Sequence, residues 1–139
     1  MKINILSNKI PWFGRFSGYE CLPDYLPKKL ELKVYTSKFN LVNKILGKIY
    51  KMKNGWNFLR SEDVLAEVQF MHGIRNSSIS HILYLETHIH ILEKINDKDP
   101  RVIGTIHLPI SQWKEKQLHL LSKMNNVIIL YKEEMEEFA

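Results

Sequence analysis

Apolar residues along the chain come in short bursts, separated by stretches of helical spacing or by turn residues. Residues 2–7 read as a short buried strand whose apolar side chains are Ile3, Ile5 and Leu6. A loop over residues 8–18 follows, and Gly18-Tyr19-Glu20-Cys21-Leu22 opens a helix that Pro27 helps to close. Residues 30–36 alternate apolar and polar positions and predict a second strand. Residues 37–53 hold a basic amphipathic stretch that Gly55 breaks. Ser61 is the expected N-cap of the next helix, with Glu62 and Asp63 in its first turn, running towards Gly73.

The second half repeats the alternation. Residues 79–85 predict a third strand, and Thr87 is the expected N-cap of a helix reaching Asn96. Residues 101–107 predict a fourth strand, rich in β-favouring Val102, Ile103, Thr105 and Ile106. Residues 110–124 read as a helix that buries Trp113, Leu118 and Leu121. Residues 127–131 read as a fifth strand, and the acidic stretch 132–138 as the start of another helix. Strands alternating with helices predict an α/β fold: a Rossmann-like parallel sheet with helices on both faces, built as one domain over residues 1–139. The last helix is too short to finish covering such a sheet, so the sequence is expected to be part of a longer protein.

Composition narrows the class. The apolar share of 45% and charged share of 25% belong to a folded soluble chain. No apolar run approaches the roughly 20 residues that span a bilayer, and the first residues lack the core and cleavage site of a signal peptide. The single cysteine, Cys21, excludes an internal disulfide and fits a reducing compartment, which predicts a cytoplasmic protein. The charge is uneven. Residues 1–60 hold twelve Lys and Arg against three Asp and Glu, whereas residues 61–139 hold eight against twelve. The basic half predicts an anionic partner: a phosphorylated substrate, a lipid headgroup or nucleic acid. Nucleic acid ranks last, because the aromatic residues cluster in one loop instead of interleaving with the lysines.

Ligands of an open α/β sheet sit outside the carboxyl ends of its strands, which selects the loops after the first, third and fourth strands. The first, Pro11-Trp12-Phe13-Gly14-Arg15-Phe16-Ser17-Gly18-Tyr19, is not a dinucleotide fingerprint, since its glycines are four apart. It either offers backbone N–H groups to an anion near Ser17 and Gly18 or simply packs on the sheet edge. In Glu86-Thr87-His88-Ile89-His90, a helix would point His88 and His90 roughly 200° apart, which argues against a shared metal ion. His90 is expected on the helix surface, and Glu86 and His88 at the site. His107, followed by Leu108-Pro109, leaves the fourth strand on an extended path. It is read either as a hydrogen-bonding partner of substrate or as a cap on the sheet edge. His72, His81 and His119 read as structural or solvent-facing. No metal site is expected.

Three segments resemble the amino-terminal domain of family 4 glycosyltransferases, enzymes of the two-domain GT-B architecture. They are Trp12-Phe13-Gly14-Arg15-Phe16-Ser17-Gly18-Tyr19, His81-Ile82-Leu83-Tyr84-Leu85-Glu86-Thr87-His88, and Val102-Ile103-Gly104-Thr105-Ile106-His107-Leu108-Pro109 with the later Val127-Ile128-Ile129-Leu130-Tyr131-Lys132-Glu133-Glu134. The resemblance implies retaining transfer of a sugar from a nucleotide-sugar donor to a glycan or lipid-linked acceptor, in cell-surface polysaccharide synthesis and without a cofactor or metal. It implies His107 as the catalytic histidine beside the transferred sugar, and Gly14, Arg15, Phe16, Ser17, Gly18, Tyr19, Glu86, Thr87, His88 and Pro109 as substrate-binding residues. The family's carboxyl-terminal nucleotide-sugar domain lies outside this sequence, so the chain alone is expected to be inactive. The alternative is a non-catalytic module that binds a phosphorylated or lipid-linked sugar.

One further pattern concerns residues 41–53. Wound as a helix, Leu41, Val42, Ile45, Leu46 and Ile49 share an arc of about 140°, with Lys44, Lys48 and Lys51 away from it. The stretch either lays its apolar face on the sheet or docks peripherally on an anionic membrane surface at the inner face of the membrane, with Trp56 and Phe58 as interfacial anchors.

Overall fold

The computed structural model describes residues 1–7 and 25–130. Five strands form one parallel sheet: β1 (Lys2–Leu6), β2 (Glu31–Tyr35), β3 (Ile79–Ile82), β4 (Val102–Ile106) and β5 (Asn126–Ile129). Their order is β2-β1-β3-β4-β5, so the chain moves to one side of β1 and then crosses back to its other side. Ile5 of β1 lies between Val34 of β2 and His81 of β3 in this register. The α/β reading holds, with all five strands parallel. The expected helices over residues 18–27 and 132–138 fall largely or wholly outside the described residues.

The helices are α1 (Leu41–Asn54), α2 (Ser61–Ile74), α3 (Leu85–His88) and α4 (Glu115–Leu121), with tighter 3₁₀ turns at Ile89–Glu93 and Ile110–Gln112. The main core lies where α2 meets the sheet, around Val64, Phe70, Ile82, Leu85, Ile91 and Ile106. A smaller cluster on other side chains of the same strands gathers Ile3, Ile5 and Leu83 with Leu26, Leu30 and Leu32. Successive strand residues point to opposite faces, which is why Ile5 and Leu6 join different clusters.

α1 packs against α2 rather than on the sheet. Its inward positions are Gly47, which is buried, and the half-buried Asn43, Tyr50 and Asn54. These are spaced three or four apart and so share one face. At Gly47 the helices nearly touch: any Cβ there would overlap the carbonyl of Ser61. Asn40 caps α1 by accepting a hydrogen bond from the Asn43 N–H, and Gly55 ends it in the left-handed conformation, φ 73°.

Several local expectations are corrected. Arg60, not Ser61, is the N-cap of α2, and its guanidinium pairs with Asp63 at 2.8 Å instead of capping. Thr87 is no N-cap, because β3 ends at Ile82 and the helix already starts at Leu85. The expected single helices over residues 87–96 and 110–124 are each broken, the second into a 3₁₀ turn and α4 after Pro109. Trp113 and Leu121 are buried as expected, but Leu118 is exposed. Trp56 is also buried and meets the His90 ring edge-on at 4.9 Å, so it is not an interfacial anchor.

Candidate functional site

The strand order reverses between β1 and β3, which makes this a topological switch point, the place where open parallel sheets bind ligands outside the carboxyl ends of their strands. β1 ends at Leu6, and the N–H of the following Ser7 bonds the Tyr35 carbonyl. Pairing of β1 with β3 runs past the strand itself, with the Leu83 N–H donating to the Leu6 carbonyl. His107, just past the end of β4, reaches the Leu83 carbonyl: its Nε2–H donates to Leu83 O at 2.6 Å.

The same ring stacks on Tyr84, with centroids 4.4 Å apart and planes 22° from parallel. Its backbone N–H reaches the Glu86 carboxylate at 3.4 Å. His107 and Glu86, expected together, therefore meet, and the first fixes its ring on the loop that carries the second. The sheet-edge cap anticipated as the plainer role of His107 is real. It also gives the imidazole one orientation, which is what a group acting on a bound ligand requires.

His81 supports this arrangement from within β3. Burial first, and the neighbouring His107 second, push its pKa down to about 4, so it is neutral near pH 7. Its Nε2 lies 2.7 Å from the Thr105 hydroxyl, pinning β3 to β4 beneath the site. The structural reading of His81 holds, and His72 and His119 are exposed.

His88 departs from expectation. It is buried in the core with 1% exposure, and its Nδ1–H donates to Glu67 Oε1 at 2.6 Å. His90 is buried too, against the expectation of a surface position, and its Nε2–H donates to Glu67 Oε2 at 2.9 Å. The reason is local: the chain tightens from α3 into a 3₁₀ turn at Ile89, so both rings face inward on α2. Burial raises the Glu67 carboxyl, but the hydrogen bonds and positive charge of His88 and His90 outweigh it and hold the group below its ordinary value. Among the described residues His88 Nε2 has no hydrogen-bond partner. Among the described residues no group of three or more His, Cys, Asp or Glu could hold a metal ion. Glu67 escaped the sequence reading, although a carboxylate inside Val64-Leu65-Ala66-Glu67-Val68 was a usable signal of a buried partner.

Thr87 is exposed beside Glu86, and Pro109 is half-buried beyond His107. Gly14, Arg15, Phe16, Ser17, Gly18 and Tyr19 lie outside the described residues. Lys44 and Lys48 are exposed and Lys51 half-buried, all on α1. A groove of about 590 Å³, lined by Tyr50, Lys53, His72, Arg75, Lys94 and Arg101 among others, opens at the amino ends of β3 and β4. That is the edge opposite His107, and its Arg101 is already paired with Asp99 at 2.7 Å. The switch-point cluster is the better site, because fixed polar groups converge there at the end where such sheets bind ligands. Comparison with known proteins finds no matching family model, curated protein or solved structure.

Proposed function

We propose that this domain is the acceptor-side half of a retaining glycosyltransferase that moves a sugar from a nucleotide-sugar donor to a glycan or lipid-linked acceptor. One observation carries the reading: Glu86 and a fixed His107 ring meet at the carboxyl ends of adjacent strands, beside the sheet's switch point. The segments that hold these residues are those that resemble the family 4 enzymes. In this role His107 orients the transferred sugar or steadies charge developing on the leaving phosphate, and its bond to Leu83 keeps the ring from reorganising during the step. Glu86 and Thr87 contact acceptor or sugar hydroxyls, and a second domain brings the nucleotide. His88 has no part in binding, since it lies in the core.

Sugar transfer from labelled nucleotide sugars to lipid-phosphate acceptors tests the reading. The chain alone should give no turnover, and the polypeptide obtained by following its reading frame past residue 139 should. In that longer protein His107→Ala should lower kcat by about ten- to a thousandfold. His107→Gln, whose amide can still reach the Leu83 carbonyl, separates loss of the cap from loss of the imidazole. Robust transfer by the 139-residue chain, or unchanged kinetics in a folded His107→Ala protein, would contradict the proposal.

A further inference from the structure

α1 turns its apolar face away from the protein. Leu41, Val42, Ile45, Leu46, Ile49 and Met52 are all exposed, from 42% at Leu46 to 72% at Leu41. Packing on α2 is made by the separate stripe of Asn43, Gly47, Tyr50 and Asn54. At about 100° per residue, the apolar arc is centred roughly 145° from that stripe, so it points almost straight outwards. The helix is capped at both ends without using this face. Two exposed phenylalanines bracket it, Phe39 ahead of α1 and Phe58 after it. Apolar surface singly scattered needs no explanation, but six large side chains on one helix face, with aromatic ends, form a patch of the kind that marks an interaction site.

Charge identifies what fits. From residue 32 to residue 61 the chain has seven Lys and Arg and no Asp or Glu. Lys44 and Lys48 flank the apolar arc on one side and Lys53 falls just inside its other edge, all exposed. Among the described residues none of these lysines forms an ion pair. An apolar strip edged by unpaired lysines complements a surface that is apolar within and negative at its boundary. A second copy would set lysine against lysine across the interface, with no acidic residue on α1 itself to relieve the repulsion.

We propose that the outer face of α1 docks on the surface of a bilayer containing anionic lipid, with its axis in the membrane plane. The apolar side chains enter the boundary of the acyl region while Lys44, Lys48 and Lys53 lie among the headgroups. Attachment is peripheral, consistent with the absence, among the described residues, of any helix long and apolar enough to cross a membrane. The inference stands independently of the sugar-transfer proposal. Where both hold, the membrane and the acceptor of a lipid-linked sugar share one surface.

Vesicle co-sedimentation of the 139-residue chain tests it, comparing phosphatidylcholine alone with phosphatidylcholine plus phosphatidylglycerol at low and high salt. The anionic vesicles should bind the chain and the neutral ones much less, and high salt should weaken binding by screening the lysines. Replacing Lys44, Lys48 and Lys53 with Gln should cost about fivefold per lysine. Ile45→Gln with Ile49→Gln should weaken binding at least about tenfold, with circular dichroism confirming an unchanged helix content. Equal binding to both vesicles, no binding to either, or full binding by the isoleucine variant would overturn the proposal. So would sedimentation showing a dimer that the isoleucine changes dissociate while vesicles fail to bind, since the occupant would then be a second copy.

Discussion

α1 and α2 are both fourteen residues long and lie side by side, yet they dispose of their apolar residues in opposite ways. α2 buries Val64, Leu65, Ala66, Val68, Phe70 and Ile74 between the sheet and α1, and carries Glu67 into the core as well. α1 buries only Gly47. A helix enclosed on most sides needs apolar residues around much of its circumference, so α2 looks weakly amphipathic. α1 has a sharply divided pattern, and the apolar side is the one turned away from α2. The pair shows that amphipathicity locates an apolar face without naming its partner. Here the close approach at Gly47, not the apolar stripe, decides which side of α1 turns inwards.

Core truncation in α2 should give the largest effect. Phe70→Ala should cost about 3–5 kcal/mol, because it empties a fully buried site, whereas Ile45→Ala on α1 should change stability by less than about 0.5 kcal/mol. Urea denaturation measures both, and similar losses at the two positions would erase the distinction between the helices. Acid should be the next strongest perturbation. His81 has a folded pKa near 4, below its unfolded value, so its contribution is whole above about pH 6.5 and is lost as pH falls towards 4. The loss should amount to about 2–3 kcal/mol. Glu67, held below its ordinary value, adds a further loss as pH falls through the ordinary carboxylate range and on to its folded pKa. Denaturation midpoints between pH 7 and 4 should decline, and His81→Asn should flatten the upper part of that decline. A midpoint independent of pH over this range would contradict both assignments.

Gly47→Ala should come third. Its Cβ would overlap the Ser61 carbonyl, which is backbone and can yield only if the two helices part, at a cost of about 1–3 kcal/mol. The change also raises helix propensity, so a net gain in stability would show that α1 is not seated on α2 at this point.

Much of this architecture was legible from local pattern. All five strands stand where short β-favouring runs alternate with helical spacing, and Gly55 ends α1 as its position suggested. The meeting of Glu86 with His107 followed from the rule for carboxyl ends of parallel strands. What escaped depends on contacts between distant residues. Glu67 meets His88 and His90 across more than twenty positions, so no helix-period argument could turn those histidines inwards. The capping of Leu83 by His107 likewise arises from the register of β3 against β4. The direction of α1 hung on one glycine against a backbone carbonyl, a contact that has no signature in the apolar stripe.

The outward apolar face of α1 can be observed directly by methyl NMR with a soluble paramagnetic chelate. In the free protein the methyls of Val42, Ile45 and Ile49 should broaden strongly, while those of Val64 and Val68 on α2 stay sharp. Adding phosphatidylcholine nanodiscs should change little, and nanodiscs that also contain phosphatidylglycerol should shield Val42, Ile45 and Ile49 from the chelate. Methyls of α1 that are already shielded in the free protein, or that stay accessible on the anionic discs, would contradict the account.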